Sequence, residues 1–299
     1  MSRKQREDIK NKLGLPTIAA SADRTLEQIR AGFAAFMKTM HIPLGTQISS
    51  TTLGERKALL VEKKQDKRDG IILYFHGGSF LMGSPETAMT LTASLVLRTG
   101  IKAISLDYRL APEHPFPAAI EDGTAAYREL LKQGISHESI VFAGDSAGGG
   151  LCITTCLKAR SEQLPLPAAI VTFSAGLDAT RTGASVDTKH GIDPYFTREG
   201  FSSSGSMYLG DADPNQELLS PAVYADLTGF PPILLQVGTN ELLLDDSTRL
   251  AQRARDAEVD VILDVTANVP HVFQCYNGVL EEADYALDRA ALFIKQNIK

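Results

Sequence analysis

The chain has no tryptophan and only three cysteines among its 299 residues. An odd, small number of thiols in a chain this long does not make a disulfide framework. No uninterrupted apolar run approaches the ~18–20 residues that cross a bilayer as a helix. The stretch Met1–Lys12 is strongly charged and lacks an apolar segment, so no secretory signal is expected and the cytoplasm is the default compartment. A large excess of one charge is also missing. At a net charge of −6, nothing points to nucleic acid as a general partner. Residues 1–70 are basic and the remainder acidic, which a solvated face and exposed turns account for. There is no internal repeat and no low-complexity tract. What is left, 43% hydrophobic and 22% charged, is a globular chain with a sizeable core, of a length common for one α/β domain.

Short β-rich apolar runs alternate with helix-forming stretches along that chain. The runs are Lys57–Glu62, Ile71–Phe75, Ile101–Asp107, Ser139–Ala143, Ala168–Ser174, Ile233–Val237 and Val259–Val265. Between them helices are predicted near Pro85–Arg98, Pro117–Gln133, Ala147–Arg160, Asp245–Asp256 and Leu280–Gln296. Such alternation predicts an α/β fold with a mostly parallel central sheet, flanked by helices on both faces. Two segments stand outside the pattern. Residues 21–40 place Leu26, Ile29, Phe33, Phe36, Met37 and Met40 at helical spacing, as a core helix or a cap would. Residues 180–215 are polar and glycine-containing, with Tyr195, Phe196, Met207 and Tyr208 interspersed, and a connection that long is usually functional. The expected division is a cap segment over 1–45 and a catalytic domain over 46–299, with 180–215 inserted as a lid.

The strongest chemical signal is Gly144-Asp145-Ser146-Ala147-Gly148, between a buried-strand run and a helix without proline. This has the form of a nucleophile elbow. The serine stands on a sharp strand-to-helix turn, and the glycines two before and two after keep side chains out of the bend. The following helix aims unpaired N–H groups at the reacting centre. A serine hydroxyl is a poor nucleophile at neutral pH and needs a histidine base held by a carboxylate. Only His190 and His271 follow Ser146 in the chain. His271 comes directly after the last predicted strand and is the expected base; His190 falls in the lid. The acid belongs after the next-to-last strand. Glu241 is the first carboxylate there, while Asp245 and Asp246 fit the first turn of a helix, and Asp178 follows the preceding strand. Glu241 is preferred, with Asp245 and Asp178 as alternatives.

Acyl transfer also needs donors where the oxyanion forms. His76-Gly77-Gly78-Ser79-Phe80 follows the strand ending at Phe75, and the backbone N–H groups of Gly77 and Gly78, with that of Ala147, are the expected oxyanion hole. Cys152 and Cys156, four apart on the helix behind Ser146, lack further metal ligands and are expected to pack in the core. Cys275 is expected to be a packed thiol, and Asp145 to brace the turn.

At these residues the chain resembles the bacterial hormone-sensitive-lipase family of α/β-hydrolase esterases. The matching motifs are His76-Gly77-Gly78, Gly144 to Gly149, and Asp107-Tyr108-Arg109-Leu110-Ala111-Pro112-Glu113 with His114 to Ala119 after it. The resemblance runs from about residue 55 to the C-terminus. It implies an α/β-hydrolase fold with a helical cap, and a serine esterase acting on a small ester with a short acyl chain. It implies neither metal nor organic cofactor, and a homodimer through the last strand and its neighbours. The family's acid opens a motif that Glu241-Leu242-Leu243-Leu244-Asp245 fits, which favours Glu241. Tyr108 to Glu113 would be an ion-paired structural loop. One departure stands out: the family's Ser-Pro-aromatic is here Ser174-Ala175-Gly176, so the pocket beside it should be reshaped. A lactonase, a deacetylase of acetylated small molecules, and a hydrolase-fold binding protein without turnover are the competing functions.

Overall fold

The computed structural model describes residues 2–13 and 24–299. Residues 1 and 14–23 of the expected cap segment therefore lie outside the described residues. Eight strands form one sheet: β1 (Thr46–Leu53), β2 (Arg56–Lys63), β3 (Arg68–Phe75), β4 (Ile101–Leu106), β5 (Ile140–Asp145), β6 (Ala169–Phe173), β7 (Ile233–Gly238) and β8 (Val261–Thr266). Their order across the sheet is β1-β2-β4-β3-β5-β6-β7-β8. Only β2 runs against its neighbours β1 and β4; every other pair is parallel.

The helices follow in chain order as α1 (Ser2–Leu13), α2 (Leu26–Met37), α3 (Met89–Thr99), α4 (Ala118–Lys132), α5 (Ala147–Ser161), α6 (Ser185–Thr188), α7 (Arg198–Leu209), α8 (Pro221–Tyr224), α9 (Leu244–Asp256) and α10 (Glu281–Asn297). Strand periodicity sorts them onto the two faces. In β3, Ile71, Leu73 and Phe75 point into a core shared with α4, α5 and α9. Ile72 and Tyr74 point to the opposite core, shared with α3 and α10. Residues two apart share a face, so central strands covered on both sides must be apolar throughout. Phe142 of β5 shows the packing: it is fully buried and meets Phe75 and Tyr127 edge-on at centroid distances of 5.9 and 4.8 Å. Replacing such a ring by alanine costs ~3–5 kcal/mol in a core that cannot collapse. Cys152 and Cys156 are free, buried thiols in that same core, as their position behind the elbow predicts.

Seven of the eight strands fall where the apolar runs predict them. β1 is the exception, because Thr-Gln-Ile-Ser-Ser-Thr-Thr-Leu has no apolar alternation and is mostly exposed at the sheet edge. It is held by the hairpin turn Gly54-Glu55, where both residues take positive φ (56° and 67°). No helix among the described residues is long and apolar enough to cross a membrane.

The parallel register sets Phe75 opposite Gly144, Asp145 opposite Phe173, Phe173 opposite Gln236 and Gly238 opposite Thr266. The loops that leave these strands consequently emerge along one rim. In an open α/β sheet that rim, at the carboxyl ends of the strands, is where ligands bind.

Candidate active site

Ser146 occupies the turn between β5 and α5 at φ 53° and ψ −119°, a conformation that a β-carbon ordinarily avoids. The neighbours over-determine it. Its N–H donates to the Phe173 carbonyl at 2.8 Å. A Cβ on Gly148 would collide with the Phe75 and His76 carbonyl oxygens, and one on Gly144 would meet the Gly148 carbonyl oxygen. Both glycines of the motif are required because the elbow lies backbone to backbone against the end of β3.

His271 Nε2 lies 2.9 Å from Ser146 Oγ, and His271 Nδ1 lies 2.9 Å from Glu241 Oε2. Glu241 is fully buried; its Oε1 accepts from the Gly238 N–H and, at 2.8 Å, from the Ser174 hydroxyl. Burial disfavours a charged His271, but the hydrogen bond and charge of Glu241, with the charges of Asp193 and Asp145, outweigh it and raise its pKa above the ordinary value. The alternatives are engaged elsewhere. Asp245 Oδ2 accepts from the Ser185 N–H at 2.9 Å and ties α6 to α9. Asp178 pairs with Arg249 at 2.7 Å. His190 is exposed in the 180–215 segment.

Gly78, Ser79 and Ala147 border the space around Ser146 Oγ. Gly78 has φ 123°, and Ser79 and Phe80 follow with positive φ of 57° and 60°. Successive backbone N–H groups in such a loop form a concavity suited to an anion. Ala147 opens α5, so its N–H has no partner within the helix. Gly77 sits one residue further back: neither cavity at Ser146 reaches it, and a Cβ there would collide with the Asp145 carboxylate. Asp145 braces the turn through Tyr74, whose hydroxyl donates to Oδ1 at 2.8 Å, and burial pushes its carboxyl up to about 6. His76 stacks on Tyr108 at 4.1 Å, and the Tyr108 hydroxyl donates to the His76 carbonyl at 2.6 Å. Burial drives His76 down to about 4, so the ring is a neutral wall of the loop.

The two segments outside the α/β alternation both reach Ser146. Phe33, Phe36 and Met37 of α2, with Met40, line a cavity of about 70 Å³ that also contains Tyr195, Phe196 and His271. Phe201, Gly205, Tyr208 and Leu209 of α7 line a second cavity of about 100 Å³ on the Ala147 side. Gly176 opens onto this second space.

Charges fasten both covers. Arg30 of α2 grips Glu113 with two hydrogen bonds of 2.7 Å and donates to the Leu81 and Ala111 carbonyls. The Arg30 guanidinium holds Glu113 down to about 2. The Tyr108–Glu113 loop is ion-paired as expected, but its Glu113 end clamps α2 while Arg109 binds Asp122 and Glu121. Asp193 accepts from the backbone N–H groups of Tyr195, Phe196 and Leu242. It thereby joins the aromatic cover of His271 to the loop carrying Glu241, and the Phe196 ring meets the imidazole edge-on at 4.9 Å. Ser174 is the other residue without a motif-based role. Its hydroxyl donates to Glu241 and accepts from the Val272 N–H at 2.9 Å, so one side chain holds both Glu241 and the residue after His271. Its place directly after β6 was the available signal. Asp193 sits in a polar stretch where nothing in the sequence marks it.

The alpha/beta hydrolase fold family matches residues 72–275. An acetyl-hydrolase of Streptomyces hygroscopicus is 40% identical over 232 residues, covering 78% of this chain and 77% of that protein. An esterase of Acinetobacter venetianus is 36% identical over 232 residues, covering 77% and 76%. The crystal structure of an esterase from the bacterial hormone-sensitive lipase family superposes with a TM-score of 0.93 at 36% identity, covering 99% of both chains. The chain belongs to the α/β-hydrolase family, in its bacterial hormone-sensitive-lipase branch.

Proposed function

We propose that the chain is a serine carboxylesterase that hydrolyses short-chain acyl esters through an acyl-enzyme. The observation that carries this is the unbroken hydrogen-bond chain Ser146–His271–Glu241, with both links at 2.9 Å. His271 takes the Ser146 proton as Oγ attacks the ester carbonyl, and Glu241 holds the tautomer and stabilises the imidazolium. The oxyanion develops against the N–H groups of Gly78 and Ala147, with Ser79 as the neighbouring donor; Gly77 shapes the loop behind them. His271 then protonates the departing alcohol, and water repeats the sequence to release the acid.

The leaving oxygen must be reached by His271, so the alcohol part belongs in the cavity that His271 lines. The acyl part belongs in the one beyond Ala147, which His271 does not line. Residues 24–45 and 180–215 act as the cap that closes both. The Streptomyces acetyl-hydrolase supports a second reading, removal of an acetyl group from a small molecule by the same steps. Pairing of two copies along the edge strand β8 is supported by its exposed Ile262, Leu263 and Val265.

Ser146→Ala should lower hydrolysis of p-nitrophenyl butyrate by a factor on the order of 10⁶ with the circular dichroism spectrum unchanged. Turnover retained in that variant would refute the serine assignment. Glu241→Gln should lower kcat by roughly 10²–10⁴-fold, whereas Asp245→Asn should mainly lower the unfolding midpoint; the reverse ranking would move the acid to Asp245. The pH profile tests the surroundings of the base. Activity is lost as pH falls through the raised pKa of His271, because the imidazolium cannot take the serine proton. Asp193→Asn removes a negative charge that stabilises the imidazolium, so the acid limb of kcat/KM should move to lower pH by roughly half a unit. An unmoved limb would reduce Asp193 to a purely mechanical part.

A further inference from the structure

Arg181 borders the same cavity as Ser146 and Ala147, in the loop that follows β6. Its position is built. The Asp178 carboxylate accepts from the Thr180 and Thr182 N–H groups and pairs with Arg249, which folds the loop tightly around it. Within that loop Arg181 is held at φ 55°, the left-handed region that a non-glycine residue enters at a cost. Its guanidinium lies 3.7 Å over the Phe201 ring. Gly205 of α7 makes room for it, since a Cβ there would collide with Arg181 Nη2. Backbone strain, an aromatic platform and the space left by a glycine together hold one cation in place.

The charges of Asp246 and Asp178 act on that cation, but its hydrogen bonding is incomplete. Nη1 is buried and has no acceptor among the described residues. Burial pulls the guanidinium down to about 10, which still leaves it charged at neutral pH. Asp246 borders the same space, but its Oδ2 accepts from the Leu177 and Asp178 N–H groups at 2.6 and 2.9 Å, and burial pushes it up to about 7. Its hydrogen bonds go to that backbone and not to Arg181. Asp178 also borders the space, its carboxylate engaged by Arg249 and by the Thr180 and Thr182 N–H groups, and the rest of the wall is largely apolar, with Leu177, Leu209, Leu218 and Leu219. A fixed charge facing such a wall without an acceptor is costly unless a ligand supplies one. Nothing lies within 4 Å of where a Cβ on Gly176 would stand, which leaves space beside the path from Ser146.

Resting on the esterase reading, the geometry points to an acyl group ending in a carboxylate: the substrate class is a hemiester of a short dicarboxylic acid, with its free carboxylate received by Arg181. The chemistry balances as ordinary hydrolysis. Ser146 Oγ bonds the ester carbon, the ester C–O bond breaks, and the alcohol leaves with the proton from His271. One water then releases the dicarboxylic acid and restores the serine.

The test compares monoethyl glutarate and monoethyl adipate with ethyl pentanoate and ethyl hexanoate, at active-site concentrations set by fluorophosphonate titration. The wild-type enzyme should show kcat/KM roughly tenfold or more higher for a hemiester than for the neutral ester of equal acyl length. Arg181→Met should lower that ratio at least tenfold, and Arg181→Lys should keep it above one. Preference for the neutral esters at both lengths, or an unchanged ratio in Arg181→Met, overturns the proposal while leaving the esterase reading intact. Turnover of none of the four esters overturns the proposal, and the esterase reading falls with it only if p-nitrophenyl butyrate is not hydrolysed either. If Arg181→Met fails to fold, the wild-type ratio alone decides.

Discussion

The site depends on one contact, the backbone-to-backbone packing of the elbow against the end of β3. Phe75 and His76 carbonyl oxygens stand where any side chain at position 148 would be, and Gly144 is closed in the same way by the Gly148 carbonyl. This approach fixes how far Ser146 Oγ lies from the loop at Gly78 and Ser79. A nucleophile and the donors that serve its transition state must be held in register to a fraction of an ångström for either to be useful. The parallel pairing of β3 with β5 delivers both strand ends to the same level, and the glycines let them touch.

A second layer of polar contacts holds the partners of the serine. Ser174 bonds Glu241 and the backbone beside His271, so one hydroxyl ties the two loops together. Asp193 extends that network outward to Tyr195 and Phe196, and Arg30 fastens α2 through Glu113. The cover over the site is thus fixed at a few charged points, and its apolar side chains are left to shape the two cavities. Fully satisfied buried networks of this kind specify one arrangement because a half-made one leaves costly unpaired groups.

How legible this was in the sequence follows the range of each interaction. The central strands, the elbow, Ser146 and His271 announce themselves, since apolar runs and the glycine spacing are local signals. Glu241 emerged from its place after β7 and is the carboxylate found against the imidazole. β1 was hidden because an exposed edge strand needs no apolar face. At His76-Gly77-Gly78 a glycine pair signals a tight loop, while the contact between Gly77 and the Asp145 carboxylate is visible only in the structure. Ser174 is marked only by its place directly after β6, while Asp193 and Arg181 act through partners distant in the chain and no spacing rule identifies them. Ser174-Ala175-Gly176 marks this part of the wall, but no sequence signal announces the guanidinium that stands in it.

The central claim is that Ser146 becomes acylated. Rapid acid quench of the enzyme mixed with p-nitrophenyl butyrate, followed by intact-mass and peptide analysis, tests it most directly. One butyryl group per chain on the peptide containing Ser146 is the predicted result. Ester turnover with no adduct, or with the acyl group on another residue, would contradict the account.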